Sequence, residues 1–201
     1  MWADRLLTSA SALLREAGDL PPLSITASRD IATRLASITM QPPVHLDVPG
    51  CEEALDRLAV LLDQADVYSV SVPFDDAYRN HIVIGYYGEY QVRAHALLGG
   101  EAGTPTLISS PRATSTAAVA VVLDDLAAWA RNTDLSGVWN VIVHDEAVRA
   151  RVQIRAVGRD LGAVARQVLG NSPVVDDYRG SDATVEGWIA GTACTLHVTA
   201  P

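Results

Sequence analysis

Apolar residues recur at helical spacing in four places along the chain. Trp2, Leu6, Leu13 and Ala17 share one stripe and Cys51, Leu55, Leu58 and Leu62 a second; Val119, Leu123, Leu126 and Ala130 make a third, and Leu161, Val164, Ala165 and Val168 a fourth. Side chains three and four residues apart lie on one face of a helix, so the pattern predicts amphipathic helices over 2–17, 51–64, 116–131 and 159–169. Between them polarity alternates residue by residue, the period of a strand with one buried face. That alternation predicts strands at 22–27, 43–48, 138–144 and 147–156, and hairpins at 81–97 and 184–199. Gly50 and Gly158 each stand between a strand-like run, "VHLDVP" or "VQIRAV", and the helix that follows.

Laid side by side, the two halves match element for element. "PFDDAYRN" (73–80) and "PVVDDYRG" (173–180) repeat Pro73, Asp76, Tyr78 and Arg79 as Pro173, Asp176, Tyr178 and Arg179. "DLPPLSITAS" lines up with "DLSGVWNVIV", and the hairpin sequences align without a gap, pairing Val83 with Val185, Gly85 with Gly187, Tyr86 with Trp188 and His95 with His197. The predicted fold is α+β: two tandem pseudo-repeats of an α-β-β-α-β-β unit with antiparallel sheets carrying helices on one face. Repeat unit 1 covers 1–98, a Gly/Thr/Ser/Pro-rich linker 99–112, and repeat unit 2 113–201. The stretch between strands 22–27 and 43–48 is read as an insertion, and the Asp/Tyr/Arg segments as loops.

Each hairpin admits a two-residue turn, at Gly88-Glu89 and at Ala190-Gly191, where glycine supplies positive φ. With those turns fixed, Ile189, Gly187, Cys194, Val185, Leu196 and Val198 form a core face in the second hairpin, opposite Trp188, Glu186, Thr195 and His197. In the first, Tyr87, Tyr90, Val92, Val83 and Ala94 face the core. The other side bears Tyr86, Ile84 and Ile82, so strand 82–87 reads as apolar on both faces and needs a cover: a helix, the other repeat or a partner.

Composition narrows the class. With 201 residues, 49% of them hydrophobic, the chain can bury a sizeable core. Every basic residue is arginine and none is lysine, a bias read as the codon usage of a GC-rich bacterium or its phage. The net charge of −9 repels phosphate backbones and argues against nucleic acid as a partner. Cys51 and Cys194 sit on apolar faces without metal-ligand spacing and read as buried, reduced thiols. The N-terminal stretch carries charges through its apolar stripe, unlike a signal peptide, and no apolar run is long enough to span a bilayer, so a cytoplasmic protein without a membrane partner is expected.

Chemistry-bearing residues are few. Asp76 with Arg79 and Asp176 with Arg179 read as local ion pairs of duplicated turns, or as arginine forks for an anion. Arg149, Arg151 and Arg155 share one face of strand 147–156 with Gln153. This is the chain's one concentration of positive charge, read as a solvated face or an anion-binding surface. His144, Asp145 and Glu146 are consecutive, and adjacent residues of an extended chain point apart, so they do not converge on a metal ion. His95 and His197 occupy matching outward positions; His45 and His81 have no acidic or nucleophilic neighbour in the sequence. The commonest signatures (G-x-S-x-G, the phosphate loop, G-x-G-x-x-G after a strand, H-E-x-x-H) do not occur, and no cofactor, metal or catalytic residue is assigned.

The expectation is a non-catalytic cytoplasmic protein-binding protein, adaptor or chaperone-like, that binds another protein or its own copy through Tyr86, Trp188, Ile82 and Ile84. Its order of elements is similar to that of secretion-chaperone-like α/β proteins, a likeness of topology. The alternative is a small-molecule or anion binder, or an enzyme, that uses Arg79, Arg179, Arg149, Arg151 and Arg155 around a cleft between the repeats.

Overall fold

The first helix, α1, spans Trp2–Ala17 and buries Leu6 and Leu13 of the predicted stripe together with Leu7 and Leu14 beside them, while Trp2 and Ala17 at its ends are half-buried. In the computed structural model, which describes residues 2–20, 23–41, 51–72, 75–99, 116–145, 150–170, 175–179 and 182–201, α1 is followed by β1 (Ser24–Arg29), β2 (Ala36–Gln41), α2 (Cys51–Leu61), β3 (Asp63–Val72), β4 (Asp75–Tyr87) and β5 (Tyr90–Gly99). The second half supplies α3 (Thr116–Arg131), β6 (Val138–Asp145), β7 (Ala150–Val157), α4 (Leu161–Leu169), β8 (Val175–Arg179), β9 (Asp182–Ile189) and β10 (Thr192–Thr199). The helices and strands together make a mixed α+β protein.

All ten strands join one sheet in the order β3-β4-β5-β2-β1-β6-β7-β10-β9-β8. Its centre is the antiparallel pairing of β1 with β6, in which Thr26 faces Ile142, flanked by Ile25 with Val143 and Ala27 with Val141. Burial alternates clearly along β7 and β9, so the helix-facing side of those strands is apolar, while the edge strand β3 is exposed over 63–71. Ile25, Ile38, Val83, Val92, Val141, Val152, Ile154, Val185 and Leu196 point from the helix-facing side of the sheet into a single core shared with all four helices.

Helices α1 and α3 pack against each other over the centre of the sheet. The Ser11 hydroxyl donates to the Ala120 carbonyl at 2.9 Å, Arg15 pairs with Asp124 at 2.5 Å, and the Thr116 hydroxyl accepts from the Leu20 N–H at 3.0 Å. The halves of the chain therefore meet through paired strands below and packed helices above, where the sequence suggested a cleft. Trp129 Nε1 donates to the Val168 carbonyl at 3.2 Å and ties α3 to α4. Asp160 caps α4 by accepting from the Ala163 N–H at 2.8 Å.

Three expectations are corrected. The sheet is not purely antiparallel: β2 runs parallel to β5 and β7 to β10. A parallel pair needs a crossover, which α2 with β3 and β4 provides in one half and α4 with β8 and β9 in the other. Among the described residues each half holds five strands where four were counted: β3 was not expected in the first half nor β8 in the second, and the Asp/Tyr/Arg segments read as loops are strand, 75–80 beginning β4 and 175–179 forming β8. The stretch read as an insertion holds β2, closed to β1 by a turn in which Asp30 Oδ1 accepts from the N–H groups of Ala32 and Thr33 at 2.9 and 2.6 Å. Those bonds, with Thr33 foremost, hold the Asp30 carboxyl below its ordinary range. The strand expected at 43–48 lies outside the described residues, as do residues 100–112 of the linker; Gly99 ends β5.

Both hairpins turn where the sequence places them. Gly88 has φ +60°, the positive first position of a II′ turn, while Ala190 and Gly191, at +49° and +78°, match type I′. Cys51 and Cys194 are buried and unbridged, and burial pushes the Cys194 thiol up to about 12. Among the described residues no helix is long and apolar enough to cross a membrane.

Candidate functional site

With the helices on one side, the opposite side chains of the sheet form a wide second face that no described helix covers. On it the sequence-predicted contact residues come to light. Tyr86 on β4 is 42% exposed and Trp188 on β9 47%, each near one flank of the sheet. Ile84 is half-buried; Ile82 is only 5% exposed, since Tyr68 on β3 and His95 on β5 stand directly beside it across the strands. The cover that the two-sided strand requires is thus partly its own neighbours. Tyr68, Val70 and Leu97 extend the same apolar flank and remain exposed.

The middle of the face is polar. Arg151 and Arg155 on β7 are exposed, alternating with the core residues Val152 and Ile154. Arg149 and the side chain of Arg179 lie outside the described residues. The Arg155 guanidinium rests 5.9 Å from the centroid of the Trp139 ring, within cation–π range. His144 Nδ1 is 3.1 Å from the Ser24 hydroxyl and its Nε2 is 3.3 Å from Gln153 Oε1. With the amide oxygen accepting, Nε2 carries the proton and Nδ1 accepts from serine, which leaves the Gln153 NH2 as a donor. His197 Nδ1 is 3.2 Å from the Thr184 hydroxyl. Together His144, Arg151, Val152, Gln153, Thr195 and His197 line a shallow cup of about 240 Å³. A second hollow of about 490 Å³, between the β1–β2 turn and Trp139, has Ser28, Arg29, Asp30, Ile31 and Ser37 in its wall.

Several polar atoms of this face have no partner. The side-chain oxygens of Asn80 and Asn140 and Nδ1 of His95 are buried without a hydrogen bond. A buried unpaired polar group costs about 1–3 kcal/mol, so the face is built at some expense to folding.

Burial lowers the pKa of His95 and of His197, with the Arg93 and Arg155 charges adding to the effect. Both therefore release their proton more readily when folded than at the ordinary 6.5 of the unfolded chain. Between the two values the unfolded chain holds more protons. Stability is consequently full above about pH 6.5 and declines as the pH falls toward the folded values. The melting temperature is expected to drop between pH 7 and pH 5, and the slope to flatten in the double variant His95→Gln/His197→Gln. An unchanged slope would show that other groups set it.

Arg79 and His81 project from β4 on the helix side instead, toward α2. Arg79 donates from Nη2 to both carboxylate oxygens of Glu52 of α2, each at 3.0 Å, in place of the local pair expected with Asp76, whose side chain lies outside the described residues. His81 is 6% exposed, its Nε2 3.2 Å from Asp56 Oδ1 and its Nδ1 3.1 Å from the Ser69 hydroxyl of β3. Glu52 and Asp56 are one helical turn apart and Arg79 and His81 two strand residues apart, so the contacts act as a double clasp holding α2 to the β3–β4 hairpin. Both ring nitrogens of a buried imidazole are thereby satisfied. The Ser69 to His81 contact was legible only once β3 is a strand, and the alternation of Tyr68, Val70 and Val72 with Ser69 and Ser71 is the signal that marks it. Metal-binding groups of three or more acidic, histidine or cysteine residues are absent among the described residues. Compared with protein-family models, with curated proteins and with solved structures, the chain matches none.

Proposed function

We propose that the protein is a non-catalytic binding protein, adaptor or chaperone-like, that holds another protein on the open face of its sheet. The observation that carries this reading is the uncovered face itself. An antiparallel sheet commonly presents one polar side to water, but here exposed Tyr68, Tyr86 and Trp188 flank it and unpaired polar atoms lie within it. Aromatic side chains bring large contact area at low entropic cost and anchor interfaces.

The same proposal takes the fold as a doubled α-β-β-α-β-β-β unit. In support, exchanging β1–β5 for β6–β10 turns the strand order into the same order read from the other edge. Both parallel pairs, both two-residue turns and the Gly85/Gly187 match follow that exchange. Doubling places Tyr86 and Trp188 at corresponding points on the two wings, a shape suited to gripping one extended partner between them.

A photo-crosslinking residue placed at Ile84 or Trp188, in the cells that make the protein, is expected to capture a partner several-fold more efficiently than one at Val60 or Val121 on the exposed side of the helices. Equal capture from both sides would overturn the reading. Light scattering of the purified protein, run alongside, tells whether the captured species is a second copy.

A further inference from the structure

The open face is charged in a way the rest of the chain is not. Across its six central strands, β5, β2, β1, β6, β7 and β10, the outward positions carry the positive charges of Arg93, Arg151 and Arg155 and the imidazoles of His95, His144 and His197, and not one carboxylate among the described residues. The chain has 24 acidic residues against 15 basic ones, so six strands without an outward acid among the described residues are a strong segregation of charge. Carboxylates return at the margins of the face, with Asp30 in the β1–β2 turn, Asp66 beside Ile84 and Glu186 beside Thr195.

Where the cationic band is deepest it forms a cup. In register, His144 lies next to Arg151, Gln153 next to Thr195, and Arg155 next to His197. The cup's volume of about 240 Å³ admits one carboxylate-bearing side chain and not a folded surface. Its walls present an arginine, the Gln153 NH2 held in place by His144, a threonine hydroxyl and the His197 ring, whose Nδ1 meets the Thr184 hydroxyl, polar groups suited to a planar anion.

We infer that the occupant of the open face is an acidic, extended segment of a partner protein, which lies across the central strands and seats an aspartate or glutamate side chain in the His144/Arg151/Gln153/Thr195/His197 cup. This rests on the protein-binding reading above and names the chemistry of its partner. The flanking aromatics favour a peptide with apolar residues among its acids. A polyphosphate chain offers no apolar groups to the exposed Tyr68, Val70, Tyr86 and Leu97 on the flank of the face.

The test is fluorescence polarisation with labelled dodecapeptides that alternate glutamate with valine or leucine, against the same peptides with lysine for glutamate, at two salt concentrations. The acidic peptide is expected to bind at least tenfold more tightly than its lysine counterpart and to weaken as salt rises. Arg155→Glu and Arg93→Glu are each expected to lower its affinity at least tenfold, while Arg57→Glu, in the helix layer, leaves it unchanged. Melting curves confirm that the variants fold. Equal binding of acidic and lysine peptides, or of wild type and both face variants, would overturn the inference. So would a preference for oligo-dT, for succinate alone at equal concentration, or for a second copy of the chain. If crosslinking from Ile84 and Trp188 captures a protein but acidic peptides show no preference, this inference fails and the protein-binding reading survives; if crosslinking fails too, both fall.

Discussion

Replacing Gly85 by valine is expected to remove about 3 kcal/mol of folding stability, a large share of what a domain of this kind possesses. A side chain at this position would put its Cβ 2.8 Å from Leu62 Cβ, 3.0 Å from the Asp63 carbonyl oxygen and 3.2 Å from Ala65 Cα. None of these is the free end of a flexible side chain. The contacts come from the start of β3, where the ladder to β4 is irregular between Asp63 and Asp66 and Gln64 has φ +53°, so the backbone of the edge strand would have to lift. Gly88, three residues on, is a glycine for a different reason. It has open space around it but φ +60°, and Gly88→Ala is expected to cost only about 1 kcal/mol. Urea denaturation of both variants separates the two causes. A Gly85→Val protein as stable as Gly88→Ala would mean that β3 does not pack on β4 as described.

Gly85 also shows how far the sequence was legible. Its match with Gly187 was visible, as were the parity of both hairpins, their turns and the amphipathic stripes, because each depends on residues close together in the chain. The inward set Val185, Gly187, Ile189, Cys194, Leu196 and Val198 and the outward set Glu186, Trp188, Thr195 and His197 fall where alternation puts them. Strand partners are another matter. Nothing in "ASITMQ" says that it will run parallel to β5, since that depends on the route of the intervening crossover. The alternation of Tyr68, Val70 and Val72 with Ser69 and Ser71 marks β3, but over five residues only, since Asp63, Gln64 and Asp66 precede it on an edge strand exposed over 63–71, where burial imposes no longer pattern.

The open face escaped the sequence for the same reason. Arg151 and Arg155 were recognised as one basic strip, but His144, Thr195 and His197 join them through strand neighbours far away in the chain. The absence of acids is a property of six strands together, invisible in any one of them. His81 makes the point on the helix side: its partners Ser69 and Asp56 are 12 and 25 residues away and come from different elements.

Leu126→Ala should cost about 2–5 kcal/mol, and the loss should be felt throughout the molecule. Leu126 is fully buried on α3, beside Leu123 and Val119, in a core that also takes Leu6 and Leu13 from α1. Were the two halves separate domains, a cavity in α3 would loosen the second half alone. Here α1 packs on α3, β1 pairs with β6, and the buried side chains of both halves form one cluster, so unfolding either half exposes the other's central strand and helix face. A single cooperative transition follows, and hydrogen exchange in the β4–β5 hairpin should accelerate by the same factor as in β9–β10 although Leu126 lies in the second half. Val121, 53% exposed on the outer side of the same helix, is the control: Val121→Ala should stay within about 0.5 kcal/mol of wild type. Acceleration confined to β9–β10 would divide the molecule into two independently folding units. Such a division would also remove the rigid joint that keeps Tyr86 and Trp188 in fixed relation across the open face, which gripping one partner between the wings requires.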